Sequence, residues 1–513
     1  MKYKKFFIIM FILILCSSIS ALLAPIFIQL WKANGTPLDT KKIVFIVLLI
    51  LASKLLTILF TIFREKFAKE YNKGNFISYI KNIFNMNYDS IIEKGAMNLL
   101  ERASISVNSI YSFMMNGYIQ IFSSLLVALV CLILIANVNL YLALIMFLAL
   151  PINYFGYKLL NKKLKKKSEE MQKMTGMGFQ EILSYVQEVD YVKQLSDRSV
   201  IYNKLEPATE KVYGSMASVN EYAQSMTVVL EGVNEIIKTL LLLIVVYDYM
   251  AHSSSIYSII LVTLIFPLYF ANVSTITNSN IEKRNFDIAK DFEKELIANK
   301  EADGAEAIDM INDIELDVSG INIKDMKLDF NAKAKLKKGD IVRINGANGS
   351  GKSTFAKGLV KFRDVKIIKV NGIDIEKCKN EDIRDRIEYV VQNAPIVNGS
   401  LRKNLLLDFD DGSHIDLKEN QFIKSILEKK SLDDEILMGG SNLSGGEKQK
   451  ISFARSLLKN PDVLVLDEIC SNIDKESTKE IYDYLDKTRD ERICFIISHD
   501  DLTSGLINVN INE

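Results

Sequence analysis

The sequence predicts an all-α membrane domain of six helices followed by a soluble α/β domain built around a phosphate-binding loop. Long apolar runs crowd residues 1–290, whereas over 315–513 short β-rich runs alternate with polar helical stretches. In the second region Gly346-Ala-Asn-Gly-Ser-Gly351-Lys352-Ser353-Thr354 follows the apolar strand Ile341-Val-Arg-Ile344 and opens a helical pattern. Residues 291–314 read as the linker.

The apolar runs lie at 6–30, 43–63, 119–136, 141–160, 229–250 and 256–271, most of them close to the ~20 residues that cross a bilayer. Lys and Arg orient them, because cytoplasmic loops hold the excess. Lys2, Lys4 and Lys5 precede the first run. Arg64, Lys66, Lys69, Lys73, Lys81, Lys94 and Arg102 lie between the second and third, and Lys162-Lys163-Leu164-Lys165-Lys166-Lys167 follows the fourth. The connections 137–140 and 251–255 hold neither Lys nor Arg, and 31–42 only a few. A multi-pass protein of the cell membrane with both termini cytoplasmic is expected. Residues 1–24 also have the outline of a signal peptide, but removing them leaves five spans and puts either the basic loops or the phosphate loop on the wrong side.

Five cysteines, at 16, 131, 378, 470 and 494, have neither paired nor metal-type spacing, which suits free thiols. Lys plus Arg total 63 and Asp plus Glu total 63, so the overall balance does not point to a nucleic-acid partner. The basic run at 162–167 suits anionic lipid head groups or topology control.

The phosphate loop has a direct chemical reading. Its glycines let successive backbone N–H groups turn toward a phosphate chain, so Gly346, Asn348, Gly349, Ser350, Gly351 and Thr354 are assigned to the nucleotide. Lys352 reaches the β- and γ-phosphates, Ser353 offers its hydroxyl to Mg²⁺, and the helix that starts there adds its N-terminal dipole. The expected cofactors are ATP and Mg²⁺. Asp467 ends the apolar run Val463-Leu-Val-Leu466, a buried strand that delivers a carboxylate to Mg²⁺ at the mouth of the sheet. Glu468 then stands where it can polarise the attacking water, and His499, after the apolar run at 493–497, can donate toward the γ-phosphate. Ser444-Gly445-Gly446 opens a second helix with small residues, another phosphate-compatible N-terminus.

The order of these elements resembles the ATP-binding cassette family. Val391-Gln392-Asn393 with Pro395 resembles its glutamine loop and Leu443-Ser444-Gly445-Gly446-Glu447-Lys448-Gln449 its signature. Val463-Leu-Val-Leu466-Asp467-Glu468 resembles the Walker B strand, Ser471-Asn472-Ile473-Asp474 the D-loop, and Ser498-His499 the switch histidine. The resemblance implies an ABC ATPase domain of the P-loop NTPase class. It makes Glu468, His499 and Gln392 catalytic, adds Gln392 to Ser353 and Asp467 at the metal, and brings Ser444, Gly445, Gly446 and Asp474 to the nucleotide of a second cassette. One cassette fused to six spans resembles a half-transporter, which implies pairing with itself or with a similar chain. Two cytosolic excursions, about 64–118 and 161–226, resemble the coupling helices of exporters around Tyr88–Lys94 and 188–196. Ordinary helical linkers are the alternative there.

Some features depart from the pattern. Residues 313–329 contain no aromatic residue to stack on adenine, with Phe330 next in line, and Met438 stands where an acidic residue often precedes Gly439-Gly440. Within the spans, Lys54 and the series Glu231, Asn234, Glu235 and Lys238 stand out, because polar groups there are costly. A Lys54–Glu235 pair, a cytosolic extension of the fifth helix and a translocation-path lining all fit them. Pro25, Pro151 and Pro267 mark expected kinks. The expected function is ATP-driven export of an unidentified solute, possible cargoes being peptide, lipid or drug. The rival is a membrane-tethered sensor or immunity ATPase.

Overall fold

The computed structural model describes residues 4–36, 39–252, 256–323, 326–347, 349–363, 365, 368–391, 395–407, 409, 417, 420–470, 474–498 and 507–510. The chain forms two units, one of Met1–Met86 with Ser90–Lys300 and one of Asn87–Asp89 with Glu301–Glu513.

The first unit is helical throughout. It contains α1 (Lys4–Ala33), α2 (Thr40–Phe84), most of α3 (Tyr88–Lys94), α4 (Ala96–Ser112), α5 (Gln120–Ala136), α6 (Leu140–Gln187), α7 (Val189–Gln194), α8 (Ser199–His252) and α9 (Ile256–Ala298). A π-helical stretch, Phe113–Ile119, joins α4 to α5. Side-chain caps start two of the long helices, α2 and α6: Asp39 accepts from the backbone N–H of Lys42 at 2.8 Å, and Asn139 accepts from that of Tyr141 at 2.9 Å. Gly95, at φ +77°, makes the turn from α3 into α4, where a Cβ would meet the side chain of Gln180 at 2.2 Å.

Each of the six apolar runs falls in one of these long helices. Among the described residues Ile8–Ala33, Thr40–Phe84, Ala96–Ala136 and Tyr257–Ala298 are long and apolar enough to cross a membrane, and Leu140–Gly156 is a shorter apolar helix. The run at 229–250 is absent from that set, in keeping with the charges that Glu231, Glu235 and Lys238 put into α8. The inner faces pack Leu22, Val127, Cys131, Met146, Leu261 and Tyr269 into one core. The outer face of α2 exposes Leu48, Leu51, Leu55 and Leu59, which suits contact with lipid or a second apolar surface. Pro25, Pro151 and Pro267 each sit inside a continuous helix.

Two sequence expectations change here. Glu235 bonds with Lys238 of its own helix at 2.6 Å, one turn away. The Lys54–Glu235 pair is therefore not formed: an i,i+3 partner on the same helix costs less ordering than one on another helix, and Lys54 is exposed. The helix of the last span also continues through Ala298 and the next strand begins at Asp313, so the first residues expected as linker from 291 are helical.

The second unit is α/β. Its strands are β1 (Asp313–Ile323), β2 (Met326–Lys337), β3 (Ile341–Asn345), β4 (Ile368–Val370), β5 (Ile373–Asp374), β6 (Ile387–Val390), β7 (Gly399–Ser400), β8 (Glu435–Ile436), β9 (Val463–Asp467), β10 (Ile493–Ile497) and β11 (Ile507–Asn510). Strands in the order β11-β3-β10-β9-β6 form a parallel sheet, and β2-β1-β4-β5 form an antiparallel one. Helices α10 (Lys352–Leu359), α11 (Asn380–Arg386), α12 (Leu401–Leu405), α13 (Gln421–Leu427), α14 (Gly445–Leu458) and α15 (Lys475–Lys487) complete it.

Every residue of β9 and β10 is buried, as continuous apolar strands covered on both faces should be. Alternate β9 residues serve two cores: Val463 and Val465 pack with Phe355 and Phe495, while Leu464 and Leu466 pack with Phe453 and Leu405. The ends of β9 and β10 thus emerge from fully buried strands between the two cores. Tyr88 belongs to this unit and stacks on Phe362 with ring centroids 5.5 Å apart, while Asp89 pairs with Arg363 at 2.9 Å. All five cysteines are free thiols.

Candidate functional site

The phosphate loop lies between β3 and α10 because the sequence changes there from β-branched apolar residues to glycine and serine, which favour turns. Gly349 at φ +82° and Gly351 at φ +98° take left-handed backbone conformations, and Gly351 is the N-cap of α10. A side chain at either would be strained. Lys352 is 7% exposed, and its ammonium donates to the carbonyls of Gly346 at 2.7 Å and Ala347 at 3.0 Å. That folds the charge back over the loop. The Ser350 hydroxyl is buried and has no hydrogen-bond partner among the described residues, a cost that an anion seated in the loop removes. Thr354 follows Ser353 in the first turn of α10.

Two strands, β6 and β9, and the start of α10 bring the acidic end of the site together. Ser353 Oγ donates to Asp467 Oδ1 at 3.1 Å, and the Tyr389 hydroxyl donates to Asp467 Oδ2 at 2.6 Å. Asp467 is 5% exposed, and these two donors offset the cost of burying its charge. Burial pushes the Tyr389 phenol far above its ordinary pKa, with the neighbouring Asp467 carboxylate adding to the shift, so it remains a donor. One hydroxyl and one carboxylate side by side suit Mg²⁺, which takes few protein oxygens and completes its shell with phosphate and water. The donor set therefore fits the ion.

Glu468 follows with φ +51°, a left-handed conformation rare for a glutamate, and its N–H donates to Ile497 O at 2.9 Å. The parallel pairing of β9 with β10, Asp467 opposite Ile497, over-determines this turn and holds the strained residue in place. Arg343 Nη2 lies 3.5 Å from the carbonyl of Ser498, the residue before His499. Asn348, Gln392 and His499 themselves lie outside the described residues, as does the side chain of Phe330.

The second constellation is built on α14. Ser444 is its N-cap: Ser444 Oγ accepts from Glu447 N at 3.2 Å, and Glu447 Oε2 accepts from Ser444 N at 2.8 Å and from its hydroxyl at 2.9 Å. Gly445 and Gly446 form the first turn. Lys430, just beyond α13, pairs with Glu447 Oε1 at 3.0 Å. Burial alone would raise the Glu447 pKa, but hydrogen bonds from Ser444 and Lys430 outweigh it and hold the carboxyl below its usual range. Asp474 caps α15, accepting from Ser477 N and from Ser477 Oγ, both at 2.8 Å. A cavity of about 240 Å³ is lined by Ser444, Gly446, Glu447, Lys450, Asp474 and Ser477, among others. Ser444, Gly446 and Asp474, three of the four residues expected at a second nucleotide, thus share one concavity.

Tyr389 and Lys430 did not emerge from the sequence. Tyr389 left a weak signal, since a tyrosine inside a buried strand needs a partner for its hydroxyl. Lys430 left none, because its partner is seventeen positions away across an irregular connection.

Comparisons with known proteins identify the family and the fold. The model of the ABC transporter transmembrane region matches residues 7–273, and the ABC transporter model matches residues 330–471. The sublancin-168-processing and transport ATP-binding protein SunT of Bacillus subtilis is 38% identical over 170 residues, 32% of this chain and 24% of that protein. A probable ABC transporter ATP-binding/permease protein of Haemophilus influenzae is 30% identical over 211 residues, 39% of this chain and 38% of that one. The chain therefore aligns with well under half the length of these relatives. A bacterial Atm1-family ABC exporter solved with ATP bound superposes with a TM-score of 0.82 over 99% of this chain and 93% of that one, at 16% identity, so the fold is shared across both units. With both family models matched in chain order, the protein belongs to the ABC transporter family, its helical unit the transmembrane region and its α/β unit the cassette.

Proposed function

We propose that this chain is one half of an ATP-driven exporter and that two cassettes hydrolyse ATP between them. The observation that carries the reading is Glu468, held at φ +51° immediately after Asp467, which is itself bonded to Ser353 of the phosphate loop. A carboxylate one position past a metal-binding carboxylate is placed to orient water for attack on a terminal phosphate.

Ser353 and Asp467 would hold Mg²⁺, with Gln392 joining them. When bound, the ion neutralises phosphate charge and holds the nucleotide in register. The loop N–H groups from Gly346 to Thr354, with Lys352, bind and orient the phosphates. Glu468 takes up the proton of the attacking water, and His499 donates toward the phosphoryl oxygens. Ser444, Gly445, Gly446 and Asp474 of the partner cassette close the site. A single cassette supplies only one of the two halves, so the working unit is a dimer, either of this chain or with a similar one.

The packing of Tyr88 and Asp89 within the cassette unit supports α3 as a coupling segment, and α7 at Val189–Gln194 supplies the second candidate. Peptide is the favoured cargo class, because Glu231, Glu235 and Lys238 put both signs of charge on α8; SunT, for its part, carries sublancin-168 processing and transport in its name. The orientation of positive charge supports a cell-membrane location with both termini cytoplasmic. Glu468→Gln should still bind ATP while turnover falls by about 10²- to 10⁴-fold. Undiminished steady-state ATPase activity in that variant rejects Glu468 as the catalytic carboxylate, and vesicles that hydrolyse ATP without accumulating any solute favour a sensor.

A further inference from the structure

β6 and β9 run parallel with Tyr389 opposite Val465 and Val390 opposite Leu466. Side chains alternate along a strand, so Tyr389, Val465 and Asp467 lie on one face of the sheet. Asp467 is two residues beyond the partner of Tyr389, roughly 6–7 Å along the strand, and a tyrosine leaning forward spans that gap. The phenol ring packs with the core that contains Val465 and Phe355, which leaves its hydroxyl little freedom. It lands 2.6 Å from Oδ2, while Ser353 occupies Oδ1 at 3.1 Å. The neighbouring Glu388 pairs with Lys459 at the end of α14 at 2.9 Å, and this fixes the position of β6 further.

An aspartate carboxylate turns broadly about its Cβ–Cγ bond, so it can present either oxygen to Ser353 or swing out of plane. A metal ion that takes one carboxylate oxygen and one hydroxyl needs both at set positions, and a hydrogen bond to the other carboxylate oxygen supplies that orientation. We infer that Tyr389 is a positioning residue for the metal–nucleotide site, its hydroxyl holding Asp467 in the orientation that presents Oδ1 beside Ser353. The inference rests on the proposed ATPase reading. Tyr389 touches neither nucleotide nor metal, and it acts through Asp467.

The test uses the purified full-length protein and Tyr389→Phe, which removes one oxygen and keeps the ring. Two quantities are read: binding of a fluorescent ATP analogue in EDTA, and Mn²⁺ affinity of the nucleotide-loaded protein by electron paramagnetic resonance. The expected result is metal-free nucleotide affinity within about twofold of wild type and Mn²⁺ affinity weaker by about tenfold or more, the size of a lost hydrogen bond to a charged group. In an Asp467→Asn background the same substitution should add almost nothing. Unchanged Mn²⁺ affinity overturns the inference. So does an equal loss of nucleotide binding with and without metal, which marks a packing role, or a full further loss in the Asp467→Asn background. Wild type that binds no nucleotide would remove the ATPase reading and this inference together, whereas the other adverse outcomes remove only the role of Tyr389.

Discussion

Lys430 and Glu447 meet at 3.0 Å, and the same carboxylate closes the cap on Ser444 with its other oxygen. One side chain thus ties the region after α13 to the N-terminus of α14. Glu447→Ala should destabilise the cassette by about 1–2 kcal/mol, since it loses both a capping-box partner and an ion pair. Lys430→Met should cost under about 1 kcal/mol, because the pair is partly solvated. Thermal unfolding of the full-length protein measures both. Equal losses in the two variants would show that the cap contributes nothing beyond the ion pair.

The same pair has a pH signature. Burial opposes the charge of Glu447, yet the bonds from Ser444 and Lys430 depress its pKa. A carboxyl depressed in the folded state contributes stability above its unfolded pKa and loses it as pH falls through the folded value. The window therefore opens near the ordinary glutamate value of about 4.3 and extends below it. Wild type should be more stable than Glu447→Gln at neutral pH, and the two should converge below about pH 4. A difference that persists undiminished in acid contradicts this assignment.

Asn153 and Asn234 exchange two amide hydrogen bonds, at 2.8 and 3.0 Å, between α6 and α8. They are 2% and 9% exposed, and the two amides satisfy each other, with Asn153 also donating to the carbonyl of Ala149 at 2.8 Å. A double-mutant cycle with Asn153→Ala and Asn234→Ala should give a coupling of about 0.6–2 kcal/mol, the range of polar contacts between membrane helices. Thermal unfolding in detergent is the readout. Strict additivity would mean that the pair does not fasten the two helices.

The bond between Glu235 and Lys238 leaves the Glu235 side chain 65% exposed, and Lys54 is exposed on α2. If these charges line the cargo route, Glu235→Ala and Lys54→Ala should reduce ATP-dependent peptide accumulation in proteoliposomes severalfold. Basal ATPase activity should stay within about twofold, since neither residue lies in the cassette. Unchanged accumulation would assign the charges to helix structure.

Much of this protein was legible without coordinates. The phosphate loop, the Walker B carboxylates and the signature are contiguous motifs, and their local backbone demands, glycine at left-handed positions and a serine cap before a helix, are written in neighbouring residues. The spans were legible for the same reason, because a bilayer imposes a length on an uninterrupted apolar run. Legibility failed at contacts between distant segments. The Lys54–Glu235 pair, one of three readings that fitted these charges, gave way to Lys238, one turn along on the same helix.

The sequence by itself determined which groups are candidates for phosphate, metal and water, and that a membrane domain precedes them. Tertiary structure alone decided how those groups are held: Tyr389 on Asp467 through the register of β6 against β9, Lys430 on Glu447, and Asn153 on Asn234. The reason is physical. A motif records what the local backbone and chemistry require, whereas a buried hydroxyl, amide or ion pair is satisfied by whatever the fold brings within about 3 Å of it.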